Sequence, residues 1–294
     1  MEDQRISPVS PVGSAPRIPA QRGTASGSAT RSRTWRPPFV WRVLLLLAAV
    51  LVPLVCRLRI VNEIPDTLRG GPLILACNHI GTFDPIALTA ACRRLGLAPR
   101  ILATGGLFRT PIVGAVLRRC GHIRVNRRES SAVDALGSAL SAVREGSVVA
   151  GYPEGRITLH PGMWPERARS GLARLALASE VPVIPVSQWG AHEVMVWHGW
   201  LLMMLRLAVS SWRRPVVWVR FGTPVDLSGL DAGVPRHAVS AASRIMAAVT
   251  EGLRPLRDAE PSLPRYVDPT RPVSTARGFV VAQEDSRPSR VWRR

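Results

Sequence analysis

The chain has 294 residues, 46% of them hydrophobic, enough to fill a substantial core and to exclude a globally disordered protein. Its net charge of +19 is carried by arginine alone, for the sequence contains no lysine. Pyridoxal-type Schiff-base chemistry, a Walker A phosphate loop and a lysine general base are thereby excluded. So basic a chain calls for an anionic partner, whether nucleic acid, a membrane face or a phosphorylated substrate. The four cysteines stand at unrelated spacings, which points to neither a zinc site nor a disulfide framework and suits a reducing cytosolic setting.

Residues 1–38 are rich in Ser, Pro, Gly and Arg, with six arginines against two acids, and read as a disordered basic tail. A membrane-associating helical segment is expected over 39–60. Its run from Val43 to Cys56 is 14 residues without a charge, about 21 Å as a helix against a hydrocarbon core of about 30 Å. Arginines flank it on both sides, so no positive-inside asymmetry orients it, and three readings stay open: an interfacial or re-entrant anchor, a tilted crossing, or a buried helix. A cleaved signal is not indicated, because Pro-Leu-Val before Cys56 lacks the small residue that cleavage needs.

A domain over 61–256 follows, in which short apolar runs alternate with helical patterns. Strands are predicted at 72–77, 101–104, 122–126, 147–152, 182–187 and 215–221. Helices are predicted at 85–95, 132–145, 170–179 and 237–253, the second capped by Ser130 or Ser131. Such alternation specifies an α/β fold, a mostly parallel central sheet flanked by helices. Leu201 to Leu207 lies among Trp197, Trp200, Trp212 and Trp218, and reads either as a contact with the membrane interface or as a core helix with tryptophan as filler. Residues 257–294 turn again to Pro, Arg and acids and read as a mobile tail. The two tails together account for +7, leaving +12 on the folded part.

The sharpest local feature is Asn78-His79-x4-Asp84-Pro85, at the end of one predicted strand and the start of a helix, where α/β sites form. Asp84 reads as the helix N-cap with Pro85 at the first helical position. With Gly81 letting the loop curl, the carboxylate can meet the His79 imidazole, which makes a general base. A plain cap would explain Asp84 equally well. Tyr152-Pro153-Glu154-Gly155-Arg156 ends another predicted strand, which would neighbour the first across a parallel sheet. It offers a carboxylate, a permissive glycine and a guanidinium fork suited to phosphate, or else an ordinary turn with a solvated ion pair. A third segment runs from Leu107, Phe108, Pro111 and Gly114 to Arg124 and Arg127.

With these segments in this order the chain resembles the glycerophospholipid acyltransferases, the family of 1-acylglycerol-3-phosphate (lysophosphatidic acid) acyltransferases, over roughly 71–189. The first block is Asn78-His79-x4-Asp84-Pro85. The second is Leu107-Phe108-x2-Pro111-x2-Gly114 with Gly121 to Arg127, the third Tyr152-Pro153-Glu154-Gly155, and the fourth Val181 to Val186. The resemblance implies that His79 deprotonates the hydroxyl of a lysophospholipid, which attacks an acyl thioester of CoA or acyl carrier protein and forms phosphatidic acid. Asp84 would orient the imidazole, and no covalent acyl-enzyme, cofactor or metal is implied. Phe108, Arg124, Arg127, Glu154, Gly155 and Arg156 become the substrate-binding candidates. Two departures touch them: Gly105 and Gly106 stand where the family has a basic and an acidic residue, and Arg156 comes one position early. Arg109, Arg124 or Arg169 could then take the phosphate.

The enzyme is expected at the cytoplasmic face of the cell membrane, held to anionic lipid by its arginines. Competing readings are a relative acylating glycerol 3-phosphate or another lysolipid, and a non-catalytic basic membrane-binding protein. Nucleic acid is disfavoured as a partner, because aromatics do not interleave with the core arginines.

Overall fold

The computed structural model describes residues 35–126, 129–160, 162–195 and 200–258, the side chains of 129–133 and 200 excepted. The expected tails fall almost wholly outside these residues, as do Arg127 and Trp197. Among the described residues seven strands form one sheet: β1 (Arg57–Val61), β2 (Leu73–Cys77), β3 (Arg100–Thr104), β4 (Ile123–Val125), β5 (Val148–Gly151), β6 (Val183–Trp189) and β7 (Val216–Phe221). Their order is β1-β7-β6-β2-β5-β3-β4. From β6 to β4 every pairing is parallel, whereas β7 runs antiparallel to β6 and carries β1 parallel beside it.

Helices fill the connections: α1 (Phe39–Val55), α2 (Asp66–Arg69), α3 (Asp84–Arg94), α4 (Gly105–Arg109), α5 (Pro111–Arg119), α6 (Glu129–Arg144), α7 (Gly171–Ser179), α8 (Ala191–Val194), α9 (Trp200–Arg213) and α10 (Pro235–Arg257). The central strands are apolar on both faces because both faces are covered, as parallel sheets require. Leu73, Leu75 and Cys77 of β2 point into the core shared with α1 and α3, while Ile74 and Ala76 point into the one shared with α6, α7 and α10. On β7, which lies toward the rim, Val217, Val219 and Phe221 are buried and alternate with half-open residues.

All six predicted strands are present within two residues, and the expected mostly parallel α/β sheet is the one observed. The expected boundary at 60/61 cuts through β1, a seventh strand whose Arg-x-Arg pattern hides its role; only Leu58 of this strand is buried. The block around Leu107 and Gly114, for which the sequence predicts no element, folds as α4 and α5. Gly114 is needed there because a Cβ would collide with the Phe108 carbonyl. Helix α6 starts at Glu129, so the expected Ser cap falls inside it. Among the described residues no helix is long and apolar enough to cross a membrane; α1 has 17 residues.

Candidate active site

Strands β2 and β5 lie side by side and parallel, so their C-terminal ends bring the His79 and Glu154 loops together. His79 Nδ1 lies 2.7 Å from Asp84 Oδ2, with the carboxylate fully buried and the imidazole 17% exposed. Asp84 is the first residue of α3 and makes no capping bond. Its Oδ2 instead turns back and accepts the amides of Ile80 (2.6 Å) and Gly81 (2.8 Å). The loop therefore curls because one carboxylate oxygen gathers three donors, not because of glycine's freedom. A Cβ at Gly81 would meet the His192 and Ala191 backbone at an ordinary 3.5 Å or more.

An ionised carboxylate can only accept, so Nδ1 carries the ring proton and Nε2 keeps its lone pair for a substrate proton. The ring is stacked on Tyr152, with centroids 4.2 Å apart. Cys77, two residues before His79, offers no alternative nucleophile, since burial holds its thiol well above the ordinary range.

Glu154 supports His79 from below. Its Oε1 accepts the His79 amide at 2.9 Å and its Oε2 the Glu166 amide at 2.9 Å, while the His79 carbonyl accepts the Thr158 amide at 2.7 Å. Burial pushes the Glu154 carboxyl up to about 8; the two amides oppose the shift, and the Glu166 and Asp84 charges add to it. Glu154 is thus joined to His79 through the backbone and buried completely. Arg156 grips Glu166 with both arms of its fork, Nε to Oε2 at 2.9 Å and Nη2 to Oε1 at 3.0 Å. Three of its five N–H groups remain for another acceptor. Gly155 adopts φ +68°, and the Cδ and Nε of the exposed Arg169 lie 3.0 Å from where a Cβ would stand.

The other candidates make their hydrogen bonds elsewhere. Phe108 is buried in α4, and its carbonyl accepts from Arg118 Nη1 at 2.8 Å. Arg124 is exposed on β4, its Nε donating to Asn126 Oδ1 at 3.0 Å. None of these bonds reaches His79 or Glu154. Arg127 lies outside the described residues.

Sequence reasoning assigned no role to Asn78, Glu166 or the Tyr152 ring. Asn78 clamps β2 to β6: its Nδ2 donates to the Gln188 carbonyl at 3.0 Å and its Oδ1 accepts the Gln188 amide at 2.7 Å. An asparagine at a strand end beside a catalytic candidate is a local signal that could have suggested this. Glu166, ten residues from its arginine, has none. The loop carrying Glu166 is closed by Thr158 Oγ1 donating to the Trp164 carbonyl, and by the Arg257 guanidinium held between the Trp164 and Trp189 rings, 4.1 Å from each centroid.

The sequence pattern of the family described as Acyltransferase matches residues 59–189, a span that contains all four blocks. A 1-acyl-sn-glycerol-3-phosphate acyltransferase of Borreliella burgdorferi is 32% identical over 127 residues, 42% of this chain and 48% of that protein. An N-acylphosphatidylethanolamine synthase of Arabidopsis thaliana is 28% identical over 144 residues, 46% of this chain and 50% of the other. The chain thus spans about half the length of these curated relatives. In fold it is similar to the crystal structure of the LPA acyltransferase PlsC from Thermotoga maritima, with a TM-score of 0.55 and 18% identity over 74% of this chain and 79% of that one.

Proposed function

We propose that the acyltransferase-family domain spanning residues 59–189 transfers a fatty acyl group from a CoA or acyl carrier protein thioester to the free hydroxyl of 1-acylglycerol 3-phosphate, yielding phosphatidic acid at a membrane surface. The observation that carries this reading is the 2.7 Å contact from His79 Nδ1 to a fully buried Asp84, which leaves Nε2 as the base. Nε2 takes the hydroxyl proton as the acceptor oxygen bonds to the thioester carbonyl carbon. The tetrahedral oxyanion collapses, the C–S bond breaks, and the departing thiolate takes the proton back from the imidazolium. Asp84, accepting from Nδ1, orients the ring and stabilises the transient imidazolium.

The acceptor phosphate would meet Arg169, with which no described carboxylate pairs, and the N–H groups of Arg156 that Glu166 leaves open. Acyl transfer to another acceptor is the second reading. It is favoured by the similarity to a protein whose name specifies N-acylation of phosphatidylethanolamine and by the commitment of the Arg156 fork to Glu166. The test is a panel of acceptors (lysophosphatidic acid, glycerol 3-phosphate, other lysolipids, phosphatidylethanolamine) offered with labelled acyl-CoA and acyl carrier protein. Product from lysophosphatidic acid that vanishes in His79→Ala supports the reading. Turnover of another acceptor with none of lysophosphatidic acid would move the assignment to that acceptor, and turnover that survives His79→Ala would place the base elsewhere.

A further inference from the structure

Helix α9, in the connection from β6 to β7, is amphipathic in the wrong sense for a surface bathed in water. Its outward side carries Leu201, Leu202, Leu205 and Trp212, exposed by 69%, 41%, 59% and 87%. Its inward side carries Leu207, packed against the core, together with Arg206, half-buried, and Ser210, whose buried hydroxyl donates to the carbonyls of Glu193 and Val194 at 3.2 Å. A water-facing helix turns its polar side out.

Beside it α1, whose inward Trp41, Leu45 and Val52 lie in the core, also turns apolar side chains outward, with Leu46, Leu47, Val50, Leu51 and Leu54 exposed in a stripe. The two helices pack on each other. Their C-terminal ends are also tied: Arg214 Nη2 donates to the Pro53 carbonyl at 2.7 Å, and Arg57 Nε donates to the Arg214 carbonyl at 3.1 Å. Ile112 and Val113 of α5, which also packs on α1, extend the apolar face.

Charge selects the occupant. Neither α1, α5 nor α9 contains a single Asp or Glu, while Arg42, Arg57, Arg59, Arg213 and Arg214 are exposed around the face. A second copy related by a two-fold axis would set like charges against like. An anionic lipid surface takes the apolar side chains and the guanidinium rim together, and tryptophan suits the boundary between headgroups and acyl chains. At about 25 Å and 21 Å neither helix spans a bilayer, so both lie along it.

We propose that α9 is an interfacial insertion helix which, together with α1, docks this face on the anionic leaflet of a bilayer and sinks Trp212 to the level of the headgroups. This extends the acyl-transfer reading, since α1 packs on α3, whose first residue is Asp84; the test itself needs no turnover. Full-length protein is sedimented with phosphatidylcholine vesicles with and without phosphatidylglycerol. The comparison variant is the exposed triple Leu201→Gln, Leu205→Gln, Trp212→Gln, with circular dichroism as the folding check and Trp212→Phe as a milder second variant.

The proposal expects binding to the anionic vesicles that weakens with salt, a loss of roughly tenfold or more in the triple variant, and quenching by headgroup-proximal brominated lipid that Trp212→Phe removes. Undiminished binding by the folded triple variant would overturn it, as would equal binding to neutral vesicles. So would Trp212 shielded from iodide in the lipid-free protein, because a second copy or another part of the chain would then already cover the face.

Discussion

A single carboxylate oxygen of Asp84 organises the 79–84 loop, and His79 and Asp84, which it joins, differ in what their loss should cost. His79→Ala removes the proposed base and leaves Asp84 bound to the Ile80 and Gly81 amides. Acyl transfer should fall by about 10²–10⁴ with the thermal unfolding midpoint unchanged. Asp84→Ala strips all three donors of their acceptor, so it should also destabilise the fold, by about 1–3 kcal/mol for each buried donor left unpaired. Equal melting temperatures for the two variants would contradict this. Glu154 brings a pH dependence. Its carboxyl is raised to about 8, with burial as the largest cause. Between the ordinary glutamate range and about 8 the folded chain therefore holds a proton that the unfolded chain has lost. The stability this group contributes is complete at low pH and is lost as pH rises through about 8. Urea unfolding at a series of pH values should show wild type losing stability relative to Glu154→Gln over that window, and a flat difference would mean that Glu154 is charged throughout. For the acceptor phosphate, Arg169→Gln should raise the acceptor KM roughly tenfold and leave the donor KM unchanged, with Arg169→Lys recovering part of the loss.

Elements hold these residues by close approaches that few side chains permit. Gly190, between β6 and α8, has φ +90°, and a Cβ there would run into the Val216 carbonyl. Gly190→Ala should cost about 2–4 kcal/mol, from left-handed backbone strain plus the clash at the β6–β7 junction, read as a shifted denaturant midpoint. The Arg156–Glu166 clamp binds the loop after β5 to the segment ahead of α7. Through the Glu166 carboxylate it fixes a residue whose amide in turn donates to Glu154 Oε2. Strand positions were legible because β-branched and apolar runs between turn residues have no other stable use. The α4–α5 pair escaped because Gly105, Gly106 and Pro111 read as turn residues, whereas in place the two glycines open a short helix and Pro111 starts the next.

At the scale of the whole molecule, β1 and α1 belong to the fold and do not merely precede it. β1 is the parallel partner of β7, and α1 covers α3. A chain beginning at residue 62 should leave β7 as an open edge and bare the apolar face of α3, and so should aggregate, as measured by soluble yield and light scattering. Composition determined by itself that the charge is arginine and that lysine chemistries are absent. Local pattern determined the alternation of strands and helices and the candidacy of His79 and Asp84, because strand-forming runs, helix starts and a five-residue offset are properties of neighbouring residues. Only the tertiary structure decided that β1 joins the sheet, that Asn78 meets Gln188 across 110 positions, that Arg156 is spoken for by Glu166, and that α9 turns its leucines outward. Each of these depends on which surfaces meet after the chain has closed, and sheet order and helix facing are set by burial summed over the whole core and not by any stretch of sequence.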